Sequence, residues 1–252
     1  MVIMTHRLFH FDSLPSTNTY IRDELARGVC YSSPTTIVVD AQPGGRGQQG
    51  NTWYTPRGEN ITLTTYLETN LKATEQFFIS ELVALVALET VKTYLPESDK
   101  LSLKWPNDLY YGDRKLGGIL IEHSITGDGL DYSLLGVGIN VNETSFPTNL
   151  PNPISIRQIS GYSHDITTLV EHYCQTLDLY VAMLETAKGL DCLHQEYLCH
   201  LYRREGYHPY VGGGSQFFAR IERVLPNGLI CLEEEGGQRR MFAFKELQFV
   251  LE

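Results

Sequence analysis

Basic residues are scarce in this chain: 20 lysines and arginines stand against 30 aspartates and glutamates in 252 residues, a formal net charge of −10. The cations are scattered and form no stripe, so the electrostatic footprint of a nucleic-acid binder is missing. Long apolar runs are missing too. No stretch approaches the ~20 residues that cross a bilayer, and the opening MVIMTHRLFHFDS lacks the sustained apolar core of a secretory signal, so a cytoplasmic protein without membrane partners is expected. Cysteine is sparse and odd in number, at five, which argues for free thiols rather than a disulfide framework. Cys192, His194, Cys199 and His200 lie close in sequence. On a helix, however, the two cysteines stand about 10 Å apart along the axis and His194 points elsewhere, so a shared zinc is not expected. The chain also has neither GxxxxGK[ST] nor a GxGxxG opening a helix, which excludes the commonest phosphate loops.

Two segments carry chemistry. KWPNDLYYGDRKLGGILIE, residues 104–122, reads as a single β-hairpin turning at Gly112-Asp113. Gly117 and Gly118 fall inside its second strand, where glycine weakens the strand unless a ligand or another backbone comes close. Lys104 and Lys115, placed on neighbouring strands, are expected to converge on an anion, with Asp108 available for a metal ion or a hydroxyl. Taken alone, an exposed hairpin with solubilising charges explains the segment equally well. The second segment, QPGGRGQQGNTW at 42–53, has four glycines, one arginine and no apolar residue before Trp53. It cannot pack a core, so it is expected to be mobile until a ligand orders it. Its amides and Arg46 suit a polyanion.

In that order and at domain-scale spacing, GRGQQGNTW, KWPNDLYYGDRKLGGILIE and LGVGINVN resemble the signature blocks of biotin protein ligases. Ser16-Thr17-Asn18-Thr19 resembles the short STN element of the same enzymes. The likeness runs from about residue 5 to the C-terminus. It implies an α+β fold, a mixed sheet flanked by helices of the class II aminoacyl-tRNA synthetase and biotin ligase type, with a small SH3-like β-barrel at the C-terminal end. It also implies a function: biotin is activated with ATP and Mg2+ as biotinyl-5'-AMP, then transferred to a lysine of a biotin carboxyl carrier protein or domain. A monomer or weak homodimer is expected. Because the STN element is reached by residue 16, no DNA-binding helix-turn-helix is expected in front of it, and the role should be enzymatic.

By the same resemblance, Lys115, Arg46, Lys104 and Asp108 are the candidate catalytic residues, Asp108 being also a candidate magnesium ligand. Biotin would contact Ser16, Thr17, Asn18, Gln42, Gly45, Arg46, Lys115, Gly117 and Gly118. The nucleotide would contact Arg46, Gly47, Gln48, Trp53, Asn107, Lys115 and Asn140. Asparagine before a helix is equally well explained as a cap, so Asn18 has two readings, and Trp53 reads also as core. Gln48 and Gln49 stand where the family's loop usually reads GRGRRG, and a carboxamide lacks the charge-assisted pairing of guanidinium. Weaker retention of the adenylate is therefore expected.

The remaining sequence supplies scaffold. Strands are expected at 8–11, 35–41, 60–68 and 132–141, helices at 19–27, 74–95, 167–184 and 191–202, and a hairpin turn at 127–129. Beyond about residue 203 the texture changes to a glycine- and proline-rich stretch at 206–215 and short strands at 217–224, 228–233, 239–244 and 247–251. The expected division is a catalytic unit at 1–205 and the barrel at 206–252. Two rival functions remain open: a lipoate-type acyl-adenylate ligase, disfavoured by KWPND, and a non-catalytic biotin sensor.

Overall fold

The computed structural model describes residues 6–47, 50 and 52–251. Its larger sheet has seven strands in the order β1 (Arg7–Ser13), β2 (Thr35–Ala41), β3 (Asn60–Leu67), β7 (Gly129–Asn140), β6 (Arg114–Thr126), β5 (Asp108–Tyr111) and β4 (Leu101–Lys104). β1 runs parallel to β2 and every other neighbouring pair is antiparallel. This is the mixed sheet expected.

Residues 104–122 are not a single hairpin. The chain reverses twice, first through Trp105-Pro106-Asn107, so that Lys104 pairs with Asp108, and again at Gly112-Asp113. Pro106 has no N–H to give a ladder, so a strand through it is disfavoured and a turn is the natural outcome. Consequently Lys104 and Lys115 are not on neighbouring strands, because β5 lies between them.

The sheet has two unlike faces. Ile61 and Leu63 of β3 and Leu135, Val137 and Ile139 of β7 point into the main core, where fully burying each such side chain contributes roughly 1.5–3 kcal/mol. That core is completed by α2 (Phe77–Lys92), α4 (Ile166–Val181) and α5 (Ala187–Cys199). α2 is apolar around most of its circumference because the sheet, α4 and α5 all press on it. On the opposite face α1 (Thr17–Ala26) packs over a small cluster of Ile21, Ile37, Tyr66 and Leu134. The intervening strand residues there are Thr62, Thr64, Gly136 and Gly138, too small to fill the space beside α1. A short α3 (Ile156–Ser160), not expected from the sequence, follows β7.

The C-terminal sheet is antiparallel throughout, in the order β11 (Arg239–Phe242), β10 (Ile230–Glu234), β9 (Ser215–Val224), β8 (His208–Gly212) and β12 (Leu247–Phe249). It is consistent with the SH3-like module expected. The stretch 206–215, read from sequence as glycine- and proline-rich with no strand assigned to it, contains β8. Its Pro209 lies just beyond the last β8–β12 pair, Tyr210 with Phe249, where its carbonyl accepts from the Val250 amide at 3.2 Å, and a strand end tolerates the missing N–H. The sheet docks on the first turn of the β4–β6 meander: Trp105 Nε1 donates to the Gly228 carbonyl at 3.0 Å. Gly228 (φ +85°) leaves no room for a side chain, since a Cβ there would fall 2.8 Å from the Phe77 ring.

Candidate functional site

A cavity of about 220 Å³ opens beside α1. Its floor is the small-residue face, Thr62, Gly118, Gly136 and Gly138, and its rim carries Ser16, Thr17, Asn18, Gln42, Arg46, Gly47, Asn107, Asp108 and Lys115. A Cβ on Gly138 would come within 2.6 Å of the Trp53 ring, and one on Gly136 within 2.7 Å of Asn18 Oδ1. Glycine at these positions is what lets Trp53 and Asn18 come so close. Gly118 shares this face, a Cβ on it falling 3.3 Å from Trp53 and from Lys115 Nζ. Gly117 does not. Its Cβ would point the other way, 2.8 Å from the Gly138 carbonyl and near Ile139 and Leu109, so Gly117 serves strand packing rather than opening the cavity.

Hydroxyls and amides line one end. Thr64 Oγ1 donates to Thr17 Oγ1 at 2.7 Å, and Gln42 Oε1 accepts from both the Thr17 backbone N–H at 2.8 Å and Thr17 Oγ1 at 3.1 Å. Ser16, not Asn18, is the N-cap of α1, accepting from the Thr19 amide. Asn18 lies inside the helix and donates to the Leu120 carbonyl at 3.4 Å. Gly45 closes the base of the 42–53 loop, its carbonyl accepting from the Trp53 amide at 3.0 Å, while Arg46 bridges to Thr52. Arg46 Nη2 donates to Thr19 Oγ1 at 2.8 Å and to Glu122 Oε1 at 3.2 Å. Gln48 and Gln49 lie outside the described residues.

At the other end, Lys115 Nζ meets Asp108 Oδ1 at 2.7 Å and stands 5.8 Å from the Trp53 ring centre. Lys115, Trp53 and Thr52 are also walls of a second, larger cavity of about 680 Å³, completed by Asn140, Gly50, Tyr54 and the 146–153 loop. Lys115 therefore stands at the junction of two cavities. The Asn140 amide is committed to backbone, donating to the Ile154 carbonyl at 3.0 Å, and Asn107 Nδ2 donates to the Ile119 carbonyl at 2.6 Å. Trp53 Nε1 is buried without a partner among the described residues. Lys104 does not converge with Lys115. Its ammonium is buried against Tyr110 and Phe249, and burial pushes its pKa down while the Asp108 charge partly restores it.

Several residues of the site are not among those the resemblance assigns: Thr62, Thr64, Gly136 and Gly138 (the last two inside the LGVGINVN block), the 146–153 loop, and Phe244, which reaches the first cavity from the turn between β11 and β12. The alternation of small with branched residues in NITLT and LGVGIN is the signal that exposes the first four.

The profile of the Biotin/lipoate A/B protein ligase family matches residues 10–140, more than half of the chain, and the chain belongs to that family. Over 235 residues it is 28% identical to the bifunctional ligase/repressor BirA of Escherichia coli, spanning 88% of this chain and 68% of that protein. It is 26% identical over 167 residues to the biotin--[acetyl-CoA-carboxylase] ligase of Paracoccus denitrificans, spanning 65% of this chain and 68% of that one. The fold matches the Aquifex aeolicus biotin protein ligase, solved with biotin and ATP, at a TM-score of 0.76 and 20% identity, covering 97% of this chain and 99% of that one.

Proposed function

We infer that this protein is a biotin protein ligase, which activates biotin with ATP and transfers it to a lysine of a biotin carboxyl carrier protein. The observation that carries the reading is the junction at Lys115. One cavity of hydroxyl, amide and glycine surfaces suits a half-apolar urea such as biotin. The other suits a nucleotide, and among the described residues the two share the walls Thr52, Trp53 and Lys115.

A carboxylate held in the first cavity and an α-phosphate reaching in from the second are both anionic and meet at this cation. A carboxylate oxygen attacks the α-phosphorus and the bond to pyrophosphate breaks. Lys115, assisted by Arg46 once the loop closes, screens the repulsion and stabilises charge on the phosphoryl oxygens, an effect worth about two to three orders of magnitude in rate. Among the described residues no group of three or more His, Cys, Asp or Glu is placed to hold a metal. Magnesium needs only one or two carboxylates plus substrate phosphates, so Asp108 fits as its protein ligand, and the ion would neutralise phosphate charge there. In the second step the acceptor amine attacks the mixed anhydride, a C–N bond forms, and AMP leaves with the electron pair of the broken C–O bond. Asp108 is paired with Lys115. When phosphate draws that lysine away, its carboxylate is free to accept an N–H of the incoming amine.

The test is incubation with ATP, Mg2+, biotin and an apo carboxyl-carrier domain, followed by the mass of the carrier. A gain of one biotin, dependent on ATP, is expected. No gain, or preferential activation when lipoate is offered in parallel, overturns the reading, and tight biotin binding without turnover makes the chain a sensor.

A further inference from the structure

Lys104 lines neither cavity, yet it is a largely buried ammonium beside the site. Its Nζ donates to Tyr110 Oη at 3.1 Å and lies 4.9 Å from that ring's centre and 5.3 Å from that of Phe249 in the C-terminal sheet. Tyr110 Oη also accepts from Asn152 Nδ2 at 3.4 Å, and the same amide donates to the Asp113 carbonyl at 2.6 Å. Two donors thus occupy both lone pairs of one phenolic oxygen. Asn152 belongs to the 146–153 loop that walls the second cavity. Its carbonyl accepts from the Lys115 amide at 2.8 Å, and the Ile154 amide donates to the Lys115 carbonyl at 2.9 Å. Lys104, Tyr110 and Asn152 therefore link the C-terminal sheet, the centre of the meander and the loop, and the loop is tied to the backbone of Lys115 itself.

We propose that Lys104 is a positioning residue for the nucleotide: acting through Tyr110 and Asn152, it holds the 146–153 wall in place against Lys115 and does not touch the phosphates. This role rests on the reading of the second cavity as the ATP site. A lysine that stabilised phosphoryl charge directly would lower the rate of activation when removed, whatever happens to Tyr110. A lysine that acts through the tyrosine instead weakens ATP binding, and removing the phenolic hydroxyl alone reproduces its loss.

The experiment is biotin-dependent exchange between ATP and pyrophosphate for Lys104→Met, Tyr110→Phe, Asn152→Ala and the Lys104→Met/Tyr110→Phe double variant. Transfer from preformed biotinyl-AMP is measured alongside. Each single variant is expected to raise KM for ATP roughly fivefold, the size of one lost hydrogen bond. KM for biotin, kcat and the transfer rate should stay within about twofold, and the double variant should be no worse than the worse single one. Lys104→Arg, which keeps a charged donor, should restore most of the ATP affinity. A fall in kcat with unchanged KM in Lys104→Met, a silent Tyr110→Phe, or multiplicative effects in the double variant would overturn the proposal. Tyr110→Phe removes only a hydroxyl, so it reads out even if Lys104→Met folds poorly. Absence of exchange in the unmodified protein would instead sink the underlying ligase reading.

Discussion

At the scale of single residues, Gly117 and Gly138 separate packing from binding. Both are strand glycines within van der Waals reach of their neighbours, but a methyl on Gly138 enters the space of the Trp53 ring whereas one on Gly117 meets the Gly138 backbone carbonyl. Gly138→Ala is therefore expected to displace Trp53, change its fluorescence and weaken ligand binding at little cost to the melting temperature, because a side chain can move. Gly117→Ala pushes on backbone and should cost about 1–3 kcal/mol of stability, as overpacking does, with ligand affinity per folded molecule largely kept. Paired binding and thermal-melt measurements check both, and equal loss of binding in the two variants would refute the distinction. Lys115→Met should abolish exchange while the chain stays folded. Its partner Asp108 is mostly buried but still reaches water, so some fall in melting temperature accompanies the loss of the pair.

At the scale of elements, the decisive piece is the turn Trp105-Pro106-Asn107. It converts an expected hairpin into a three-stranded meander, puts Asp108 beside Gly118 in register, and presents the Trp105 indole to the Gly228 turn of the other sheet. Trp105→Phe keeps the packing and loses one hydrogen bond, worth about 1 kcal/mol. Faster amide exchange confined to 225–229 and to the 243–246 turn carrying Phe244 is expected, read by hydrogen–deuterium exchange. Uniform loosening of the whole chain would mean that Trp105, buried in the main core, acts through its packing and not through this hydrogen bond. The small-residue faces of β3 and β7 are the other decisive elements. Their period-2 pattern is legible in NITLT and LGVGIN, but which face would be left open depended on where α1 packs.

At the scale of the whole molecule, the acidic chain keeps one carboxylate at the centre of its helical layer. Glu81 of α2 is fully buried, and its Oε1 meets His194 Nδ1 of α5 at 2.7 Å. The hydrogen bond to Glu81 raises the His194 pKa above its ordinary 6.5. A base whose folded pKa is raised stabilises fully below its unfolded pKa and loses that contribution as pH climbs through the folded value. The melting-temperature advantage of the native chain over His194→Gln should accordingly be full below the ordinary histidine pKa and shrink as pH rises above it. An advantage that grows with pH would contradict the assignment. Sequence placed His194 away from any shared zinc site but offered no partner for it, since Glu81 lies 113 residues away.

What the sequence determined by itself was local and chemical. The long strands and helices, the turn at Gly112-Asp113 and the glycine-rich loop follow from periodicity, backbone sterics and residue type, while the lysine-bearing blocks are legible as a resemblance to a family. Those needed no knowledge of what lies across the molecule. The tertiary structure alone decided which of the adjacent Gly117 and Gly118 faces the cavity, that Lys104 turns to Tyr110 while Lys115 stands between two cavities, that Ser16 and not Asn18 caps α1, and that Phe244 comes from the far sheet to the site. Each of these depends on contacts between segments tens to hundreds of residues apart. Such contacts are set by how the two sheets and α1 dock, and no local propensity encodes that docking.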